Sequence, residues 1–432
     1  RYRLRICTTS TRLGKVRVVL KVDQEAAVAV TDSTSSRSVR FRNRRPRLTM
    51  PAIIGRIVSF AIGFALVLAA SNTSAAVLPE DRADALYHRY DGGGLVVQGP
   101  SVLVRKAYKD KISAWGNYYA DDITSASIDV ETTASEYNEQ REEYSVGLDY
   151  LHGKTFMGLS YRNSEETDYS ANGVSFGISH DFFGDLTTLG ISYSRGWDTV
   201  ERTGDDTFSE DIDRQGYRVD LTQVVTKNLI LNLNYEGVND EGFLNNPYRQ
   251  VRYTDPSAAI GYSWEPEVYP ETKRSSATAI RGMYYLPYRA SLKGEFRYYT
   301  DSWGVDGWNA EVAYVHPLPK GITLEGKYRY YTQTAADFYS DLFPRAQAQN
   351  FMARDKELAD YVTHTIGAGI SYEFEVPFAS FFKKGEASMF VDYLILDYND
   401  FRDARKTDVE AVDQPLYNFE AVILRAYVSF WF

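Results

Sequence analysis

Apolar residues recur at every second position along much of this chain. In "YSVGLDYL", Tyr144, Val146, Leu148 and Tyr150 share one face, with Ser145, Gly147 and Asp149 on the other. In "LILNLNYE", Leu229, Leu231, Leu233 and Tyr235 oppose Asn232, Asn234 and Glu236. "ITLEGKYRYY" sets Ile322, Leu324, Gly326, Tyr328 and Tyr330 against Thr323, Glu325, Lys327 and Arg329. "HTIGAGISYEF" sets Ile366, Ala368, Ile370, Tyr372 and Phe374 against Thr365, Gly367, Gly369 and Glu373. The chain ends "ILRAYVSFWF", where counting back in twos from Phe432 gives Phe430, Val428, Ala426, Leu424 and Val422. A period of two predicts β-strands, and about ten residues is what a tilted strand needs to cross a bilayer.

A soluble sandwich also alternates, because one face of its sheets is solvated. Two features favour a membrane barrel instead. Tyr and Trp gather at strand ends ("NYY", "MYY", "RYY", "YRYY", "SFWF"), as in the aromatic girdles of outer-membrane barrels. Short and long connections also alternate, the pattern of tight periplasmic turns and longer external loops. The short ones fall at 152–154, 182–185, 226–228, 286–290, 317–321 and 376–385. The long ones fall near 122–141, 163–171, 197–213, 239–275, 334–360 and 399–417, with 239–275 kept as one external loop. The predicted fold is all-β, a transmembrane antiparallel outer-membrane β-barrel of about fourteen strands, with twelve to sixteen compatible. It would begin near Lys111 and end at Phe432, with both ends periplasmic. An exposed Trp-Phe strand end in water invites aggregation; in a barrel the row faces lipid.

Mean hydropathy is −0.38, and no apolar run reaches the ~18 residues of a spanning helix. Residues 57–70, "IVSFAIGFALVLAA", match the apolar core of a secretory signal, with Arg56 ahead and small Ser74 and Ala76 behind. A signal peptide is therefore expected over 50–76, cleaved after Ala76. Residues 1–49 carry thirteen Lys/Arg and three acids without periodicity and are set aside as an upstream segment. The remaining chain, 77–432, holds 34 basic and 55 acidic residues, a net charge of −21. Cys7, the single cysteine, falls outside it, so disulfides play no part. Strong acidity argues against nucleic-acid binding. The expected location is the Gram-negative outer membrane, and the expected partners are its lipid, its assembly machinery and a periplasmic protein.

Several strings resemble one family: "GGGLVVQGPSVLVRK" (92–106), "ASIDVETTASEYNEQREEYSVGLDYLHGKT" (126–155), "NPYRQVRY" (246–253), "FRYYTDSWGVDGWNAEVAYVHPLP" (296–319) and "FMARDKELAD" (351–360). They resemble the bacterial outer-membrane proteins grouped as domain of unknown function 3570, over nearly all of 77–432. The resemblance implies barrel and location, and brings no activity or catalytic residue. The terminal row Val428, Phe430 and Phe432 also resembles the signal read by the outer-membrane assembly machinery.

Chemistry-bearing motifs are sparse. The five histidines, His88, His152, His180, His316 and His364, form no metal or haem motif. No catalytic residues and no cofactor are assigned; the chain is not expected to be an enzyme, and an outer-membrane hydrolase is the weakest of the alternatives. Loop 204–213, "GDDTFSEDID", offers Asp205, Asp206, Glu210, Asp211 and Asp213 as oxygen ligands for a divalent ion, without the order of a calcium loop. A solvated external loop is the commoner explanation of such a run.

The faces opposite the apolar rows carry Arg162, Arg218, Asp220, Lys293, Glu295, Arg297, Glu311, Glu325, Lys327, Arg329, Glu373, Asp392 and Arg425. Such charges either line a selective constriction or pair with one another and stiffen the barrel. Two segments are candidates to obstruct the lumen. One is 77–110, with flexible Gly92, Gly93 and Gly94, as a periplasmic segment or plug; the other is loop 334–360, where "RDKELADY" reads as helical. The function expected is a channel or transporter for small hydrophilic solutes. The alternative is a closed barrel serving as anchor or scaffold for a partner.

Overall fold

A computed structural model of the chain describes residues 77–125, 127, 128, 132, 137–377 and 381–432. The expected upstream segment and signal peptide, 1–76, lie outside the described residues. Eighteen strands follow in order. They are β1 (Arg82–Gly92), β2 (Leu95–Tyr108), β3 (Ile112–Ser125), β4 (Tyr137–His152), β5 (Thr155–Glu165), β6 (Tyr169–Phe182), β7 (Thr187–Glu201), β8 (Ser209–Thr226) and β9 (Leu229–Gly242). Then come β10 (Gln250–Thr254), β11 (Tyr262–Pro266), β12 (Thr272–Tyr285), β13 (Ser291–Asp301), β14 (Asp306–Pro317), β15 (Ile322–Gln333), β16 (Tyr361–Phe374), β17 (Lys384–Arg402) and β18 (Leu416–Trp431).

Sixteen of these pair antiparallel with their neighbours and close into one barrel, β1 against β18. The other two, β10 and β11, form a separate hairpin. Closure leaves no unpaired edge, the condition under which strands can cross hydrocarbon. The fold is therefore an outer-membrane-type antiparallel β-barrel.

The alternation read from the sequence sorts the two faces. Tyr144, Val146, Leu148, Leu233, Tyr235, Leu324, Tyr328, Ile366, Ile370, Val422 and Val428 are exposed on the outside. Their polar neighbours turn inward, where Ser113, Asp121, Ser145, Asp149, Asn232, Asn234 and Asp392 are buried. The six short turns and the single external loop across 239–275 lie where expected. That loop carries the β10–β11 hairpin.

Three expectations are corrected. The barrel has sixteen strands, within the expected range of twelve to sixteen, but it begins at Arg82 rather than near Lys111. The stretch 77–110 is barrel wall, not a plug, because it supplies β1 and β2. Gly93 and Gly94 use the unusual backbone angles open to glycine, forming the tight β1–β2 turn with φ of 60° and 79°. A two-residue hairpin with both residues at positive φ selects glycine, and its twist matches that of the strands it joins. The alternation of β1 was disguised because its outer row, Ala83, Ala85, Tyr87, Arg89 and Asp91, ends in charge. Finally, "RDKELADY" holds only a single 3₁₀ turn, Lys356–Leu358, capped by the Asp355 carboxylate accepting from Glu357 N.

Candidate functional site: the lumen and its external cap

The thirteen charges predicted to face inward all share the inner register, and most are held in pairs. Asp392 on β17 accepts from Arg425 on β18 at 2.7 Å and stands 3.2 Å from Lys327 Nζ on β15. Arg218 and Asp220 bond along β8 at 2.8 Å, and Asn234 of β9 donates to the same Asp220 at 2.9 Å. Lys293 meets Glu325 at 3.1 Å, and Arg297 meets Glu236 at 3.7 Å. Glu295 pairs with Arg281 and accepts from Asn309 at 3.2 Å. Glu311 lies directly across from Arg329 in the β14–β15 register. Glu373, near the short-turn rim, pairs with Lys384 at 3.1 Å. Arg162 on β5 has only a 3.9 Å approach to Glu143.

Sequence reasoning missed a second set of inner pairs. Asp121, fully buried, accepts from Arg141 at 2.5 Å and lies 2.6 Å from His88 Nε2. His88 stacks on Tyr119 at 5.0 Å. Arg105 pairs with Asp149, and Arg214 donates to Asp198 at 2.7 Å. Removing one partner from such a pair leaves the other stranded in a crowded wall, so these bridges constrain the barrel more than they stabilise it. Their positions follow from strand register, which no local motif reports.

Three of the remaining histidines hydrogen-bond to neighbours. His316 and His364 bond to Tyr314 and Tyr328, each at 2.8 Å, and His180 bonds to Thr155 at 2.9 Å. His152 lies against Tyr150. The acidic loop is likewise engaged. Asp205 pairs with Arg202 and accepts from Thr207, which holds its carboxyl below the usual range. Asp213 pairs with Arg195 on the outer face at 2.6 Å, and Asp211 accepts from Thr199 at 3.5 Å. Asp206 is exposed beside them. Among the described residues, no group of three or more His, Cys, Asp or Glu is disposed to hold a metal ion.

Over the long-loop end, three connections pack into a cap. They are 243–271 between β9 and β12, 334–360 between β15 and β16, and 403–415 between β17 and β18. Backbone bonds knit the first two: Thr254 N to Phe343 O at 2.8 Å, Phe343 N to Arg252 O at 2.9 Å, and Met352 N to Val268 O at 2.8 Å. Trp303, from the β13–β14 turn, meets Tyr269 and Phe338 edge-on at 5.5 and 5.3 Å, an arrangement that adds to simple area burial.

At the cap's centre, Asp341 accepts from Arg252 at 2.5 Å and from Arg354 at 3.0 Å, all three side chains being buried. Arg252 also donates to Gln414 at 2.5 Å, tying in the third connection. Burial first, and the neighbouring Arg354 charge second, lower the Arg252 pKa. Tyr248 extends the stitching, donating to Asp168 and accepting from Thr203 N at 2.8 Å. Ile128, from the β3–β4 connection, is buried with Leu396, Tyr398, Phe401 and Tyr417. Arg252 and Asp341 lie 89 residues apart, and nothing in the sequence announces their meeting.

The fold and this polar inner wall define an outer-membrane β-barrel protein. The chain belongs to the family described as "Protein of unknown function (DUF3570)", whose profile matches residues 119–220 and 209–401. No curated protein matches the sequence. Among solved structures, the chain is similar to a bacterial polysaccharide outer membrane secretin at 8% identity and a TM-score of 0.44, covering 82% of this chain and 99% of that one. It is also similar to a Pseudomonas aeruginosa FadL homologue (9%, 0.38, covering 82% and 90%). A third is Pseudomonas aeruginosa OccK2 (OpdF) in complex with glucuronate (10%, 0.37, covering 82% and 100%).

Proposed function

We propose that the protein is an outer-membrane channel for small hydrophilic solutes, exported by the apolar segment 57–70 and inserted by the outer-membrane assembly machinery. The observation that carries this reading is the combination of strand number with inner-face chemistry. Sixteen strands close a barrel wide enough to leave an aqueous passage rather than a side-chain-filled core. The inner face carries many charged residues with Ser and Asn among them, such as Ser145, Asn232, Asn234 and Asp392, which water and polar solutes wet. The cap narrows one mouth and makes passage selective. The test is single-channel recording of the full chain in a planar bilayer. Discrete conductance steps are expected, and a silent bilayer from protein that shows the heat-dependent mobility shift of a folded barrel would sink the reading.

One observation favours a second reading. The stitched cap and the extensive inner pairing suit a closed barrel that anchors or scaffolds a periplasmic or surface partner. Silence in the bilayer together with a stoichiometric co-purifying protein would select it. Neither reading assigns catalytic chemistry to the chain.

A further inference from the structure

All seven basic residues predicted on the inner face have acidic neighbours, and Arg162 has the loosest and most exposed of these pairings. Arg218, Lys293, Arg297, Lys327 and Arg425 each stand within 3.7 Å of a carboxylate, and Arg329 is registered against Glu311. Arg162 differs. Among the described residues its carboxylate approach is the 3.9 Å contact with Glu143, and 59% of its side chain is exposed, against 39% for Arg297. Glu143 is itself engaged by Ser145 Oγ at 3.3 Å.

The wall around Arg162 is low. Ser145 and Gly173 flank it in register, and Ser160 and Ser164 flank it along β5. Beyond Gly173 comes Gly196. These glycines are not demanded by the fold. A Cβ at Gly173 would meet nothing nearer than Arg195 O at 3.7 Å, and one at Gly196 nothing nearer than Asn172 O at 3.4 Å, both ordinary contacts. Neither glycine has a positive φ. Their effect is to leave space in front of one guanidinium.

We propose that Arg162 is the residue through which the lumen contacts small anionic solutes bearing a carboxylate or phosphate; this rests on the channel reading above. A guanidinium presents a planar fork of N–H donors that matches both groups in bidentate fashion. Basic side chains lining a pore favour anions. Ser175 lies beside this place, its hydroxyl 2.7 Å from that of Ser160.

The test uses the full chain with Cys7→Ser and Ser175→Cys, recovered from membranes. The labelling rate by a small anionic thiol reagent is measured with and without inorganic phosphate. Phosphate should slow labelling several-fold, and Arg162→Gln should abolish that protection. Arg195→Gln, the same charge change on the outer face, should preserve it. Equal protection with and without Arg162, no protection in either, or no labelling at Ser175 would each overturn the assignment. In bilayers, Arg162→Glu should lower the chloride-to-potassium permeability ratio several-fold. Protection by phosphate with a silent bilayer would sink the channel reading and leave the binding assignment standing. Conductance steps with an unchanged ratio would overturn the assignment alone.

Discussion

Phe381 lies against Phe432, their ring centroids 4.9 Å apart and their planes 21° from parallel. The contact joins the β16–β17 connection to the last residue of the chain. Phe432 also donates its N–H to Asp81 O at 3.2 Å, accepts from Lys383 Nζ at 3.2 Å, and carries Lys106 over its ring at 4.9 Å. The terminal aromatic is thus a clasp across the β18–β1 seam as well as the end of a lipid-facing row.

The clasp predicts a division of labour between its two rings. Phe381→Ala removes the stack and should cost about 1 kcal/mol, read as a lower urea midpoint for folding into lipid vesicles. Phe432→Ala should lower that midpoint too, and should also reduce the amount of barrel reaching the membrane in cells. Equal membrane yields for the two variants would count against a separate assembly role for Phe432.

Acid should loosen this seam. Asp81 accepts from Lys106 Nζ and from Ala107 N, each at 2.6 Å. Burial pulls its carboxyl upward, but the Lys106 and Ala107 hydrogen bonds and the nearby lysine charges outweigh it, so its pKa is lowered. A carboxyl depressed by folding contributes stability above the unfolded value near ~4 and loses it as pH falls through the folded value. Asp81→Asn should flatten that acid limb of the urea midpoint. An unchanged limb would show that the seam is held without this pair.

The opposite rim should respond with the opposite sign. Glu166 and Asp168, between β5 and β6, are pushed above the ordinary carboxylate range, chiefly by burial. Arg141 opposes the shift at Glu166, and the Tyr248 hydroxyl opposes it at Asp168. Raised folded pKa values contribute stability below the unfolded value near ~4, which is lost as pH rises through the folded values. Exchange of the Glu166 and Glu201 amides, which bond to Tyr169 O and Asp168 O, should be better protected at acid than neutral pH after correction for intrinsic rates. Protection that stays constant, or that survives Glu166→Gln with Asp168→Asn, would refute the sign.

The barrel was legible because lipid enforces the alternation. Ile366, Ala368, Ile370 and Tyr372 cannot leave the outer face without burying Thr365 or Glu373 in hydrocarbon. Where lipid contact ends, so does the signal. In β1 the outer row closes on Arg89 and Asp91 above the apolar band, which is why two strands passed for a plug. The inner charges were readable as a face, because parity alone assigns them. Their partners were not: Asp392 with Lys327, or Asp121 with Arg141, depend on which strands become neighbours and in what register. The cap was the least legible part, since its contacts join irregular segments far apart in sequence.

That cap makes the last prediction. Asp341 is the carboxylate shared by the buried guanidinium groups of Arg252 and Arg354, so Asp341→Ala leaves two buried cations unmatched. Breaking a buried pair from one side costs about 3–5 kcal/mol. Arg354→Met should cost less, because Arg252 and Asp341 still face each other and the removed side chain lay over the Phe401 ring at 4.3 Å, a contact a thioether can replace. The loss should stay local, since the sixteen strands keep their own hydrogen-bond ladders. External protease should therefore cut within 334–360 in Asp341→Ala, and more slowly in Arg354→Met, while the heat-dependent mobility shift of the barrel is retained in both. If the cap narrows the mouth, the same cleavage should raise single-channel conductance. Cleavage without any change in conductance would mean that solutes already pass beside the cap, and collapse of the mobility shift would mean that cap and barrel fold as one unit.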